Sequence, residues 1–369
     1  MKHPLISVVI PTHNQAERIN LVLVGLQAQT LAATDFEVVV VDDGCTDATV
    51  EVVCRAAANG LTRLELVRTA DNRGRSAARN LGIAQANGQL IVFLDGDALP
   101  APDLLERYAS SHEEHGPEAV LCGYQYCLEE LEYIGDPETG ALVTTVEIPS
   151  VLKDYLRSRR DQIAVTAETI RHDFDTLLRR AKPGGYPFPE SAQRQDEAVR
   201  LLNERPYSQV GWLGFIPHNG AAAARNLREV GGFDTTIAFS EGWELAYRLL
   251  RRPGGRCAAV PASTCHLYHY HRFSTHKGAR KEARVRYRAI EQMAAFHQDP
   301  RVRLLYCWMA HLWPDPYIPE TMVVDNLLEF DRLYSALTPE QWLEYELILD
   351  HHPAEFPTQR KEARHGIPV

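Results

Sequence analysis

Over the first hundred residues, short apolar runs rich in β-branched residues alternate with longer stretches of helical spacing. The apolar runs span 5–10, 36–41, 64–67 and 90–94, and each ends at a turn of polar residues or glycine. Between the first two, apolar residues recur at helical spacing, as at Leu23 and Leu26. This pattern predicts strands alternating with helices, hence right-handed crossovers and a largely parallel sheet. Ligands bind such sheets at the carboxyl ends of the strands, where the polar residues of this chain gather.

Two aspartates follow the fourth apolar run. Asp95 and Asp97 are separated by one glycine, and residues i and i+2 of an extended chain share a face. Carboxylate oxygens on one face suit Mg²⁺ or Mn²⁺, with the remaining positions left to water and phosphate oxygens. The pattern therefore predicts metal-dependent chemistry on a phosphorylated substrate. The alternative is an ordinary turn, because Asp and Gly are common turn residues.

Four ordered motifs resemble the nucleotide-sugar-binding half of a family 2 glycosyltransferase of the GT-A fold. They read Val-Val-Ile-Pro-Thr-His-Asn at 8–14, Val-Val-Asp-Asp-Gly-Cys-Thr-Asp at 40–47, Asn-Arg-Gly-Arg-Ser-Ala-Ala-Arg-Asn-Leu-Gly at 72–82 and Phe-Leu-Asp-Gly-Asp at 93–97. Gly-Gly-Phe-Asp at 231–234 and the segment 241–249 resemble that family's acceptor side. The resemblance implies an α/β fold with a Rossmann-like, mostly parallel sheet flanked by helices. It also implies an inverting, metal-dependent enzyme that uses a nucleotide-sugar donor.

The resemblance divides the chain into a transferase domain, 1–275, and a helical C-terminal extension, 276–369. Within the domain we expect a nucleotide-sugar-binding half at 1–110, a helical insertion at 151–205 and an acceptor-side half at 206–275. The insertion has apolar residues at helical spacing over 151–178 and again over 193–203, with a turn-rich connector at 183–189. We interpret it as a lid that shapes the acceptor site; a packing embellishment or a dimer surface is the alternative. In the extension we expect helices at 277–296, 301–312 and 323–337, another begun by Thr338 and Pro339, and a frayed tip at 358–369.

Donor binding is implied for the residues that match the family's first motifs. The acids after the second strand are expected to hold the base and ribose, and the arginines after the third strand to face the diphosphate. The bland alternatives are a turn at Asp43, a helix cap at Asp47 and a solvated helix position at Arg79. The residues assigned to the donor are Pro11, Thr12, Asn14, Asp42, Asp43, Arg75, Arg79, Asp95 and Gly96.

A metal site is implied by the same resemblance, which assigns Asp97 to the cation and Asp95 to the ribose side. Asp95 is retained as a second candidate ligand because of its spacing. A late histidine is expected to complete the site: His266 fits best, His269 next, and His271 is a third candidate. The alternative is that these rings pack in a strand or loop. Bound Mn²⁺ or Mg²⁺ would stabilise the charge that develops on the departing diphosphate.

The catalytic base is where the chain departs from the family pattern. Family members carry Glu-Asp before the acceptor-side helix, but here Gly242 stands where the aspartate is expected. Glu241 and Glu244 remain as candidates, with Glu241 preferred because it adjoins the vacant position. Burial and phosphate charge would raise the pKa of such a carboxylate towards neutrality. An acceptor that supplies its own base, or a catalytically silent nucleotide-sugar-binding or scaffold protein, are the alternatives.

The acceptor side offers His218, Asn219 and Trp243 as candidate contacts. Trp243 is equally suited to stacking on a ring or to packing its own helix, and the other two could form a plain turn. The acceptor is expected to be a small molecule, a glycan or a lipid-linked compound. Uridine is the expected base of the donor, by analogy alone.

Composition narrows the remaining classes. The formal net charge is −10, which argues against nucleic-acid binding by a basic surface. Seven cysteines without CxxC pairs predict a reduced, cytoplasmic protein, and no apolar run reaches the roughly 20 residues of a membrane span. Peripheral membrane attachment and homo-oligomerisation stay open. No GxGxxG or basic phosphate loop follows the first strand, which disfavours dinucleotide oxidoreductases and nucleotidyltransferases.

Overall fold

The computed structural model of the chain describes residues 4–61, 63–186, 189–237, 240–269, 276–313 and 315–352. Two compact units emerge from the contacts of the chain. Unit 1 comprises Met1–Thr236 and Glu241–His271, and unit 2 comprises Ile237–Ser240 and Arg272–Val369. The predicted frayed tip, 358–369, and the candidate ligand His271 lie outside the described residues.

A mixed sheet forms the centre of unit 1. The described strands of this unit are β1 Ile6–Thr12, β2 Phe36–Asp43, β3 Leu64–Thr69, β4 Leu90–Leu94, β5 Ala98–Pro100, β6 Ala119–Cys127, β7 Ile134–Asp136, β8 Ala141–Leu142, β9 Lys182–Pro183, β10 Asn219–Ala223 and β11 Arg256–His266. The strand order in the sheet is β3-β2-β1-β4-β10-β6-β11-β5, with β9 paired to β6, and β7 and β8 form a separate hairpin.

Most strands of the sheet run in one direction, as predicted. β1 to β4 pair in parallel, and β10 is antiparallel to both β4 and β6. Because β10 is antiparallel to both of its neighbours, β6 runs in the same direction as β4. β11 is parallel to β6 and therefore also runs in this direction. The carboxyl ends of β1, β2, β4 and β11 therefore meet at one edge, which confirms the expected α/β class and puts late residues beside the early motifs.

The core of the sheet consists of aliphatic residues that are buried on both faces. β1 and β4 are buried along their whole length, as is typical of central parallel strands covered by helices. Helix α3, Arg75–Gln85, packs closely on β1, because a Cβ on Gly82 would clash with Cγ1 of Val9. The helices of unit 1 outside the insertion are α1 Ala16–Gln27, α2 Thr49–Ala58, α3 Arg75–Gln85, α4 Leu104–His115, α10 Ala224–Glu229 and α11 Glu241–Leu250.

The insertion is helical, but its first part is broken into short helices. Apolar residues at the predicted spacing, including Leu156, Ile163, Ile170 and Leu177, are buried together in one cluster. The breaks occur at polar residues: the Thr166 hydroxyl, for example, caps a new helix start by accepting from the backbone N–H of Thr169. Its helices are α5 Ser150–Ser158, α6 Arg160–Ile163, α7 Ala167–His172, α8 Phe174–Arg180 and α9 Pro189–Glu204.

Unit 2 is helical where it is described. The last of its described helices begins with the expected motif, because Thr338 and Gln341 form a reciprocal capping box with Pro339 at the first helical position. Inside the unit, the rings of Tyr306 and His352 stack 4.4 Å apart, and His352 pairs with Asp315 at 2.9 Å. The helices are α12 His276–Phe296, α13 Leu305–Leu312, α14 Leu327–Ala336 and α15 Pro339–Leu349.

All seven cysteines belong to the described residues, and none of them forms a disulfide bond. Among the described helices, none combines the length and apolar content that a bilayer span requires.

Candidate active site

The two aspartates after β4 lie in a turn. The backbone N–H of Ala98 donates to the carbonyl of Asp95 at 3.0 Å, so the chain folds back on itself between β4 and β5. The prediction that Asp95 and Asp97 share a face of an extended strand is therefore wrong. The turn has another consequence: β5 pairs antiparallel with β11, with Ala98 opposite His266. This pairing carries the late histidine to the position beside Asp97.

A cleft of about 210 Å³ opens at this edge of unit 1. It brings together most of the residues assigned from the early motifs with three polar or aromatic ones that the sequence did not single out, namely His13, Gln15 and Tyr186. The lining residues are Pro11, Thr12, His13, Gln15, Asp43, Arg75, Asp95, Asp97, Tyr186, His218, His266 and His269.

Three side chains in the cleft converge as a metal site would require. Oδ2 of Asp97 lies 3.3 Å from Nε2 of His266 and 3.4 Å from Nδ1 of His269. The candidate ligand atoms of these residues all lie within 4.8 Å of one another. Nδ1 of His266 contacts the carbonyl of Gly185 at 2.7 Å, which assigns a proton to Nδ1 and leaves Nε2, the atom that faces Asp97, as the candidate metal ligand. One carboxylate and two imidazoles form a donor set that fits a divalent transition metal.

The charges of this group are strongly coupled. Burial on its own would raise the pKa of Asp97, but the cationic forms of His266 and His269 outweigh it and hold the pKa well below its ordinary value. Burial would likewise lower the pKa of His266, and the Asp97 carboxylate overrides it and raises that pKa well above its ordinary value. The group is therefore an ion-paired cluster that a divalent cation could enter in place of the imidazole protons.

Asp95 has a different kind of partner. Its Oδ1 accepts a 2.7 Å bond from the guanidinium of Arg79, which is almost completely buried. Arg79 also donates to Oε1 of Glu241 at 3.2 Å, so one buried arginine bridges the two carboxylates. Asp95 lines the cleft but is not one of the three convergent ligands. Arg79 is neither a solvated helix residue nor part of the cleft lining.

Glu241, the preferred base, is 5% exposed and lies 3.4 Å from Arg75 as well. Burial would raise the pKa of its carboxyl, but Arg75 and Arg79 prevail and lower it. The expectation of a pKa raised towards neutrality is therefore wrong. A carboxylate already paired with two guanidinium groups is a poor proton acceptor. The geometry therefore favours a role for Glu241 in pairing with Arg75 and Arg79 over a role as the catalytic base.

The glycine at the expected aspartate position has a steric explanation. A Cβ on Gly242 would lie 2.5 Å from Cδ of Pro217. Real Cβ atoms do not approach so closely, so any larger residue at position 242 requires Pro217 to move. Pro217 immediately precedes His218, which lines the cleft.

The remaining acceptor-side candidates divide between cleft and interior. Glu244 is fully buried and pairs with Arg248 at 2.6 Å. Trp243 is buried against the ring of Trp212. Neither Glu244 nor Trp243 belongs to the cleft lining. Asn219 is also buried, and its amide donates to the carbonyl of Tyr124 at 2.8 Å. These contacts indicate structural roles for all three residues.

His218 does line the cleft. Its Nε2 lies 2.6 Å from Oε1 of Gln125, and its Nδ1 lies 4.0 Å from Oδ2 of Asp95. Burial lowers the pKa of His218 to about 4, so its ring is neutral at physiological pH. Tyr186 stands edge-on to the ring of His218, with 6.4 Å between ring centroids. Tyr186 comes from the turn-rich connector just before α9. The sequence assigned the whole insertion to the acceptor side but did not single out this residue.

The turns after β1 and β2 are held by their own polar residues. Asp43 accepts from the backbone N–H groups of Arg73 and Gly74 at 2.8 and 2.9 Å, and Asp42 from Arg68 and Cys45. Asn14 has a positive φ of 52° and accepts from the backbone N–H of Thr46 at 2.7 Å. Of these three residues Asp43 lines the cleft, whereas Asp42 and Asn14 are not part of its lining.

Two further polar residues in this region have distinct environments. The predicted cap Asp47 precedes the N-cap residue of α2 by one position, yet its carboxylate accepts from the N–H of Thr49 and of Ala16 at 3.1 Å each. The buried hydroxyl of Thr12 has no hydrogen-bond partner among the described residues. An unpartnered hydroxyl in the cleft lining is suited to receive a ligand.

The comparisons with known proteins agree with this architecture. The sequence model of the protein family described as Glycosyl transferase family 2 matches residues 7–181 of this chain. The uncharacterized glycosyltransferase EpsJ of Bacillus subtilis is 30% identical over 258 residues, which cover 66% of this chain and 72% of EpsJ. The validoxylamine A glucosyltransferase of Streptomyces hygroscopicus subsp. jinggangensis is 32% identical over 252 residues, covering 67% of this chain. This chain spans about half the length of that relative, 51%.

Among solved structures, the chain is similar to the mannosyltransferase PcManGT from Pyrobaculum calidifontis in complex with GDP-Man and Mn²⁺. The TM-score is 0.50 at 18% sequence identity, with 95% of this chain and 82% of that chain covered. At this identity the similarity concerns the fold.

Proposed function

Because the chain belongs to glycosyl transferase family 2, we propose that it transfers a sugar from a nucleotide diphosphate sugar to an acceptor hydroxyl in a metal-dependent, inverting displacement. One observation carries the proposal: Asp97, His266 and His269 converge in the same cleft as the motif residues Thr12, Asp43 and Arg75. A nucleotide sugar presents a base, hydroxyls and a diphosphate, and this cleft offers polar groups for each.

The donor set favours Mn²⁺ over Mg²⁺, because two of the three candidate ligands are imidazoles and Mg²⁺ prefers oxygen. A bound Mn²⁺ would supply charge stabilisation to the departing diphosphate. PcManGT, which shares the fold, was solved with Mn²⁺. Asp97 would hold the cation together with His266 and His269. The carbonyl of Gly185 would orient the ring of His266 by accepting a hydrogen bond from the Nδ1–H of that ring.

The chain's own residues have distinct tasks in this proposal. Arg75, half-exposed at the cleft, would face the diphosphate. Glu241, which is itself paired with Arg79, would hold the Arg75 guanidinium there. Asp43 and the hydroxyl of Thr12 would contact the nucleoside. His218 and Tyr186 would border the acceptor. The acceptor oxygen would attack the anomeric carbon from the face opposite the diphosphate, the bond to the nucleoside diphosphate would break, and the hydroxyl proton would pass to a base that the acceptor itself supplies. We expect uridine as the base and a small molecule, a glycan or a lipid-linked compound as the acceptor.

The test is a panel of nucleotide diphosphate sugars incubated with the full chain and Mn²⁺, with release of free nucleotide as the readout. Slow release from one donor, abolished by a chelator and by His266→Gln, supports the proposal. A chain that releases no nucleotide and binds no donor contradicts it.

The alternative function is a nucleotide-sugar-binding module without turnover. The observation that favours it is the pairing of Glu241 with two arginines beside Gly242, which leaves the acceptor side without the family's usual base. Calorimetry separates the two: tight binding of one donor with no nucleotide release, even with added acceptors, supports the silent module.

A further inference from the structure

One buried arginine near the cleft has no place in the roles described so far. Arg18 lies in the first turn of α1 and is 8% exposed. Its guanidinium donates to backbone carbonyls: Nε to Leu267 at 3.0 Å, and Nη2 to Tyr268 at 3.3 Å. The other bonds reach β7, from Nη2 to Ile134 at 2.8 Å and from Nη1 to Gly135 at 3.0 Å. Four carbonyls thus converge on one fork-shaped side chain.

Such burial of a cation costs free energy, so the contacts must compensate. Burial is the main influence on Arg18 and lowers the pKa of its guanidinium, while the Asp97 carboxylate is the strongest of the charges that oppose this shift. A neutral residue would fill the same space without that cost. The carbonyl contacts therefore indicate what the guanidinium does at this position.

Two of the carbonyls that accept hydrogen bonds from Arg18 belong to Leu267 and Tyr268, the two residues between His266 and His269. The same short segment is held on its other side, because the N–H of Leu267 donates to the carbonyl of Asp97 at 2.8 Å. The backbone between the two imidazoles is thus attached at one side to α1 and at the other to the residue that both imidazoles face. β11 ends at His266, so these hydrogen bonds and the one from the N–H of Tyr268 to the carbonyl of His266, at 3.0 Å, hold the residues that separate the two rings.

We infer that Arg18 is a positioning residue, which holds the segment from His266 to His269 so that both imidazoles reach one cation together with Asp97. The inference rests on the proposed function, because it presumes that the three ligands bind a metal. A lysine could not reproduce the arrangement, since an ammonium on a flexible stem is a point donor and lacks the planar fork.

The experiment compares Arg18→Lys with Arg228→Lys. Arg228 also donates to backbone carbonyls, those of Ile83 and Ala86, but lies outside the cleft lining. Mn²⁺ affinity is measured by calorimetry on the full chain without donor, and UDP affinity is measured without metal. We expect Arg18→Lys to weaken Mn²⁺ binding by about 10- to 100-fold, as loss of an outer-shell partner does, with metal-free UDP binding unchanged. Arg228→Lys should leave both affinities unchanged.

A second readout does not depend on the metal. In the metal-free protein, hydrogen exchange at the Leu267 amide should be faster in Arg18→Lys, while the amides of β1 keep their protection. Arg18→Gln, which keeps a planar donor of smaller size, serves as the second variant if the lysine variant does not fold.

The possible results separate the two proposals. Wild-type Mn²⁺ affinity in a folded Arg18 variant overturns the positioning role while leaving the metal site intact. If the wild-type chain itself binds no Mn²⁺, or if His266→Gln binds it equally well, the proposed function fails and the inference fails with it.

Discussion

Two buried carboxylates beside the same cleft, Asp97 and Glu241, have opposite kinds of partner. Asp97 faces two imidazoles, which can lose their protons and become ligands. Glu241 faces two guanidinium groups, which stay protonated and have no lone pair to offer a metal. Both carboxyl groups have a lowered pKa, yet only the first arrangement can exchange its positive charge for a cation. The chemistry of the partner, more than burial or charge, determines what a buried acid can do.

The same contrast separates the two aspartates of the Asp-Gly-Asp turn. Asp97 points to the histidines, whereas Asp95 is engaged by Arg79 at 2.7 Å. Spacing along the chain made both of them candidates for the metal, and the family resemblance preferred Asp97. Their neighbours make them different. The first of the following predictions tests this difference, and the others test the surroundings of Glu241.

The largest effect is expected for Asp97→Asn. The variant loses the only carboxylate of the three-ligand group, so Mn²⁺ affinity should fall by more than the roughly 100-fold that outer-shell changes cost. Calorimetric titration with Mn²⁺ checks this, and Asp95→Asn is the matched control, with a much smaller loss. Equal losses in the two variants would put both aspartates at the metal.

Glu241→Gln tests the other carboxylate. Removing its charge leaves Arg79 short of a partner, so the free energy of unfolding at pH 7 should drop by about 3 kcal/mol. If Glu241 were instead the catalytic base, turnover would fall far more than donor affinity, with stability little changed. Chemical denaturation and steady-state kinetics on the same preparations distinguish the two roles.

The difference in unfolding free energy between wild type and Glu241→Gln should depend on pH in one direction. The folded-state pKa of Glu241 is below its ordinary value of 4.5, so the stabilisation is complete above about pH 4.5 and is lost as the pH falls through the folded pKa. The stability difference between wild type and Glu241→Gln should therefore narrow under acid conditions. A difference that stays constant from pH 7 to pH 3 would show that the ion pair is not its cause.

A smaller effect is expected for Gly242→Asp, which restores the family's usual residue. The new Cβ meets Pro217, so the variant should lose about 2 kcal/mol of unfolding free energy and gain no turnover. Adding Pro217→Ala removes the atom that clashes and should recover most of the stability. Higher turnover in Gly242→Asp alone would mean that the acceptor side needs this aspartate after all.

The early strands, the polar ends of β1 and β2 and the cap of α15 could be read from the chain because they depend on local patterns. Apolar runs of five to eight residues specify buried strands, and Thr338 with Pro339 specifies a helix start. The motif resemblance added the family and the expectation of a late histidine. These inferences need only neighbours in sequence.

The partner of each charged group was decided by the tertiary structure. The pairing of β5 with β11 brings His266 to Asp97. Glu241 of α11 forms ion pairs with Arg75 and Arg79 of α3, so the candidate base is part of an ion-pair network. The approach of Pro217 explains a glycine that sequence alone presented as a missing acid. Electrostatic roles depend on distances of a few ångströms between residues far apart in the chain, and no local pattern contains those distances.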